Sequence, residues 1–196
     1  MRLAITVAVL CGFLLNIGLA QVKPTPSLQP TSLEAFAGQS TTQLTWSREV
    51  GQIESDEARV IITALIIEDA VHTPHRMCGI RIDLANQNAR DQVYLEEAKL
   101  EAVRKALEEI ESGIESFRKE PASSPYRYLG AAEFWHPHLK VHTLSAAYYI
   151  APDSSGLSLS AYKGQQFRFP NHRLAELAKV IGMAMDELKR HCGLKR

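Results

Sequence analysis

The chain has no excess of either charge: 22 Lys and Arg residues stand against 22 Asp and Glu in 196. Phosphate backbones and anionic membranes attract proteins chiefly through a positive excess, so this balance argues against non-specific nucleic-acid or membrane binding. Catalytic signatures are missing as well. There is no Gly-x-Ser-x-Gly elbow, and Ser154-Ser155-Gly156 after Asp153 is turn composition. Neither a phosphate-binding loop nor a dinucleotide fingerprint occurs. Cysteine is scarce, with Cys11, Cys78 and Cys192. Beyond the N-terminus, no apolar run approaches the roughly 18 to 20 residues that a membrane-spanning helix needs.

The N-terminus itself reads as an address. Arg2 precedes an apolar run from Leu3 to Leu15, and small residues at Gly18 and Ala20 lead to Gln21. That is the pattern of a cleavable signal peptide over residues 1–20, which predicts export to the periplasm or the extracellular space. Cleavage removes Arg2 and Cys11, leaving 21 basic residues against 22 acidic ones, a formal charge of −1. In an oxidising compartment the two remaining cysteines, Cys78 and Cys192, are expected to form a disulfide. A reactive thiol at Cys78, favoured by His75 and Arg76 nearby, is the alternative. Residues 21–42, with Pro24, Pro26 and Pro30 and few large apolar side chains, are expected to form a flexible lead.

From Gln43 onward the hydrophobic period is informative. Val60, Ile61, Ile62, Leu65, Ile66 and Ile67 predict a central strand buried on both faces. Ile80, Ile82 and Leu84 alternate with Arg81 and Asp83, and a turn at 86–88 leads to Val93 and Leu95, which predicts a hairpin. A helix is expected over 96–117, with Leu100, Val103, Leu107, Ile110, Ile114 and Phe117 on one face and Glu101–Lys105 and Arg104–Glu108 pairs on the other. Glu96 and Glu97 suit its N-terminal end.

The same order returns after the breaker segment 120–125. Strands are expected at 126–135, 139–150, 156–161 and 167–169, and then a helix opening at Pro170. Its apolar positions Leu174, Leu177, Ile181, Ala184 and Leu188 lie 74 residues after Leu100, Val103, Leu107, Ile110 and Ile114, and Phe167 and Phe169 lie 74 after Val93 and Leu95. Gly156 to Leu159 answers Gly79 to Ile82 at an offset of 77, so the length difference falls in the hairpin loop. The expected fold is α+β: two repeats of an antiparallel four-stranded sheet followed by one long helix, over 43–120 and 121–196, packed as one pseudo-symmetric unit.

A strand-sheet-helix unit present twice resembles the Pur-alpha and whirly group of single-strand nucleic-acid-binding proteins. The resemblance lies in element order and hydrophobic pattern, and it implies intertwined repeats whose sheets bind unpaired bases. On that reading Tyr126, Arg127, Tyr128, Tyr162, Lys163 and Arg168 are the candidate surface, since bases stack on aromatic rings beside cations. Tyrosines and arginines at strand edges are also ordinary solvated residues. Export and the neutral balance separate this chain from the group.

His136, His138 and His142 form the other cluster. Imidazoles at alternate strand positions share a face and can hold zinc or copper, although Lys140 and Pro137 in the same segment disfavour a cation site and a regular strand. Surface or hydrogen-bonded histidines are the plainer reading. The expectation is thus an exported, non-enzymatic binding or interaction module for a protein or small ligand, with nucleic-acid binding and a metal-dependent role as alternatives.

Overall fold

A computed structural model describes residues 32–71, 75–121, 124–136, 141–161, 165–170 and 173–192, with side chains except at 32 and 130–143. The signal peptide at 1–20 and most of the lead lie outside the described residues.

The alternating runs become strands. β1 (Thr42–Glu54), β2 (Ala58–Asp69), β3 (Arg76–Asn86) and β4 (Arg90–Glu96) form one antiparallel sheet in sequential order. β5 (Arg127–His136), β6 (Val141–Ile150), β7 (Ser155–Ser160) and β8 (Gln166–Pro170) form a second sheet in the same way. Helix α2 (Glu97–Lys119) follows β4, and α3 (Leu174–Cys192) follows β8. The architecture is therefore α+β with two antiparallel four-stranded sheets. No described helix is long and apolar enough to cross a membrane.

Each sheet turns one face to a shared core. Val60, Ile62, Ile80, Ile82, Val93 and Leu95 from the first sheet meet Tyr148, Leu157, Leu159, Phe167 and Phe169 from the second in one continuous apolar cluster with the inner faces of α2 and α3. All six of the apolar positions expected on α2 are buried. The helices cross between the halves: α2 packs on β5 and β6 as well as on its own sheet, and α3 packs on β1 and β2. The two helices also pack on each other.

The last turns of α3 are fastened to the first sheet by several independent contacts. Cys192 and Cys78 of β3 form a disulfide pair with Cα atoms 6.5 Å apart. The His191 ring stacks on Trp46 at 4.4 Å, and Arg76 donates from Nη2 to the His191 carbonyl at 2.6 Å. Arg48 of β1 pairs with the largely buried Glu187 at 3.0 Å.

Two expectations need correction. The lead does not run flexibly to residue 42, because Ser32–Ala37 forms a short helix, α1, whose Leu33 and Phe36 are 0% and 3% exposed. Three residues apart, they share a helical face and pack on Leu65 and Ile67, on the outer face of β2. Thr42 then holds the turn by donating from Oγ1 to the Phe36 carbonyl at 2.8 Å. This second layer explains why β2 is buried on both faces towards its C-terminal end. The other correction concerns Pro170. It ends β8 opposite Gly156, and the helix opens at Leu174. Because β8 is an edge strand, a residue without an N–H is tolerated there.

Candidate functional site

Strand alternation decides which side chains of the second sheet face outward. Phe167 and Phe169 point to the core, so Arg168 between them faces away from it. Tyr148 is likewise inward and Tyr149 outward, and Tyr128 is the cross-strand partner of Tyr149. Tyr128, Tyr149 and Arg168 therefore gather on the outer face.

They form a defined cluster. The Arg168 guanidinium lies 5.3 Å from the Tyr149 ring centroid, and Tyr149 is only 1% exposed. Arg168 also donates from Nη2 to the Tyr128 hydroxyl and to Gln166 Oε1, each at 3.3 Å. Both acceptors are neutral. Among the described residues Arg168 has no carboxylate partner. The Tyr128 hydroxyl accepts from the guanidinium and keeps its own proton to donate. Tyr128 is 46% exposed and Tyr126 is 58% exposed, so aromatic surface borders the charge.

The first sheet treats its outer face differently. Arg81, one of its outward arginines, is neutralised by Asp83 at 2.9 Å, and Asp83 also accepts from Gln92 Nε2 at 2.6 Å. The Tyr94 hydroxyl donates to Gln92 Oε1 at 3.1 Å. Beside this network α1 covers Leu65 and Ile67. The two outer faces thus differ at these positions: on the first, Arg81 is paired with Asp83, whereas on the second Arg168 has no carboxylate partner among the described residues.

Arg127, grouped with these residues by sequence, has another task. It donates from Nη1 to the carbonyls of Phe117 and Glu120, both at 3.1 Å, and its guanidinium covers the Phe117 ring at 4.7 Å. A cation on the last carbonyls of α2 complements the negative end of the helix dipole. Arg118, in the last turn of α2, makes a contact that sequence reasoning missed: its Nε and Nη2 donate to the hydroxyl of the buried Tyr148 at 3.1 and 2.9 Å. The signal was a tyrosine at an inward position, which requires a partner for its hydroxyl.

Tyr162, Lys163 and His138 lie outside the described residues. His136 and His142 lie in β5 and β6, where the register pairs His136 with Val141 and Trp135 with His142, so the two histidines are not direct cross-strand partners. Marked titration effects occur elsewhere, on the solvent face of α2. The hydrogen bond from Arg104 holds the Glu101 carboxyl below its ordinary value, and the same bond raises Arg104. These are surface ion-pair effects, away from the Arg168 cluster. No protein-family model matches the chain, and no curated protein matches it significantly.

Proposed function

We propose that the protein is an exported, non-enzymatic binding module, and that the outer face of its second sheet takes an oxyanion, a carboxylate or phosphate, attached to a planar or apolar group. The observation that carries this reading is Arg168, held between the buried Tyr149 ring and the Tyr128 hydroxyl with no carboxylate partner among the described residues. A guanidinium presents several donors to an oxyanion, and hydrogen bonds between charged groups are stronger than neutral ones. Tyr128 and Tyr126 offer the rings for the remainder of the ligand. Export is supported by the signal-like N-terminus and is compatible with the Cys78–Cys192 pair.

The scaffold we propose is a duplication with pseudo-two-fold symmetry, of the intertwined kind that the resemblance to the Pur-alpha and whirly group implies. Support comes from the helices crossing onto each other's sheets and from two glycines. Gly79 lies opposite Glu96 and Gly156 opposite Pro170, and those partners are themselves 74 residues apart. A second reading, single-stranded nucleic acid as the ligand, is favoured by exposed tyrosines beside Arg168 and opposed by the neutral overall charge.

The experiment is a backbone NMR titration with phenyl phosphate, benzoate and a single-stranded oligothymidylate at low salt, on the parent protein and Arg168→Gln. The proposal expects the small aromatic anions to shift resonances of β5, β6 and β8, and Arg168→Gln to abolish the effect without changing the fold. Shifts that are absent, or that survive Arg168→Gln, refute it. Oligonucleotide binding that is far tighter and steeply salt-dependent selects the second reading.

A further inference from the structure

We propose that the Cys78–Cys192 bond conceals a divalent metal site, of the class that suits zinc, which opens on reduction and is completed by Glu97. The inference is independent of the ligand face on the second sheet. Three elements converge here: β3 supplies Cys78, the end of α3 supplies Cys192, and the first residue of α2 supplies Glu97. The two Sγ atoms and a Glu97 carboxylate oxygen all lie within 4.8 Å of one another, and the three residues are each half-buried.

The donor set is chemically coherent. Thiolates and a carboxylate bind zinc at roughly 2.0 to 2.3 Å, so in a tetrahedral site neighbouring ligand atoms stand roughly 3.3 to 3.8 Å apart. After reduction the two sulfurs move apart from bonding distance and the Glu97 oxygen, within 4.8 Å of both, draws in, so that side-chain rotations bring all three onto one ion. Glu97 has no ion-pair partner among the described residues, and Lys99, two positions on, is 3.9 Å from Glu96 instead. Once the bond is reduced and the two thiols give up their protons to an incoming ion, two thiolates and Glu97 place three negative charges in one half-buried corner. A divalent cation offsets that repulsion, with water in the fourth position.

The step balances. A dithiol reductant delivers two electrons and two protons to the Cys78–Cys192 bond and becomes a disulfide itself; the metal ion then displaces the two thiol protons into solvent. α3 stays fastened to β3 in both states, by a covalent bond when oxidised and through the ion when reduced.

The test uses full-length protein reduced with a phosphine, which avoids a competing thiol, and titrated with cobalt(II) as a spectroscopic stand-in for zinc. One equivalent is expected to produce a thiolate-to-cobalt charge-transfer band and tetrahedral ligand-field bands, both bleached by zinc, with two protons released per ion. The oxidised protein and Cys78→Ser should show neither band. Glu97→Gln should retain two titratable thiols and a folded circular-dichroism spectrum, yet bind at least about tenfold more weakly. No cobalt uptake by the reduced protein overturns the proposal. So does uptake with unchanged affinity in Glu97→Gln, which is the behaviour of an unfolded dithiol.

Discussion

Gly79 and Gly156 allow a test of how closely the strands before each helix approach one another. A Cβ built on Gly79 would lie 2.2 Å from the Leu95 carbonyl oxygen and 2.5 Å from Leu33 Cδ2. One built on Gly156 would lie 2.1 Å from the Phe169 carbonyl oxygen and 2.9 Å from the Pro170 Cα. The main obstacle at each site is backbone, so relief requires a shift of β4 or β8 and not a rotamer change. Overpacking of a tight interior costs about 1 to 3 kcal/mol, and with backbone as the obstacle the upper half of that range is expected for both Gly79→Ala and Gly156→Ala. Gly182, inside α3, is the control. Its nearest neighbour to an added Cβ is Arg104 Cδ at 3.8 Å, an ordinary contact. Gly182→Ala therefore gains the roughly 0.5 to 1 kcal/mol by which alanine exceeds glycine in a helix. In urea, with a slope of about 2 kcal/mol per M, the two strand variants should lose about 1 M in midpoint while the helix variant gains up to about 0.5 M. A neutral Gly79→Ala or Gly156→Ala would refute the close approach at that site, and a destabilising Gly182→Ala would refute the open space on α3.

Other expectations concern the contacts that close the fold. Cys78 and Cys192 are 114 residues apart in sequence, so a phosphine reductant, without added metal, should cost about 2 to 4 kcal/mol and lower the Tm; an unchanged melting curve would mean that the cysteines are not bridged in solution. Phe36→Ala should cost about 2 to 3 kcal/mol, below the largest phenylalanine truncations because α1 is short and can undock, and limited proteolysis should then cut near residue 38; resistance equal to the parent's would contradict α1 docking. Glu101 has a folded-state pKa below its ordinary value of 4.5, so its contribution is present above that value and is lost as pH falls through the lowered folded pKa. Glu101→Gln should therefore lower the urea midpoint slightly at pH 7, with the gap to the parent closing under acid conditions; a gap independent of pH counts against the Arg104 contact.

What was legible in the sequence was whatever depends on period. Leu100 to Phe117 on α2 and the alternation around Ile80 and Phe167 follow from the geometry of helix and strand, and the same alternation places Arg168 outside once Phe167 and Phe169 are inside. α1 escaped notice because Leu33 and Phe36 are two apolar residues in a segment whose average composition is polar. Their burial depends on the outer face of β2, which is remote in sequence. Arg127 and Arg168 look alike in sequence; only the arrival of the α2 C-terminus beside β5 separates a residue that caps a helix from one held on the tyrosines of the outer face. Glu97 is the same kind of case. Its place at the start of a helix was readable, whereas its nearness to both cysteines needed three elements to meet.

The crossing of the helices also governs how the chain can come apart. Since α3 packs on β1 and β2, the first sheet has no finished core until residues near 192 have been made and folded back. Such long-range closure slows folding relative to locally connected bundles and leaves the first half exposed while it waits. It also binds the two halves into a single cooperative unit, so that loosening α3 uncovers both sheets together. A protease cut between Glu120 and Pro125 would then release nothing: two fragments, each holding a helix in the other's core and joined through Cys78 and Cys192, would remain one particle until heat or denaturant separated them.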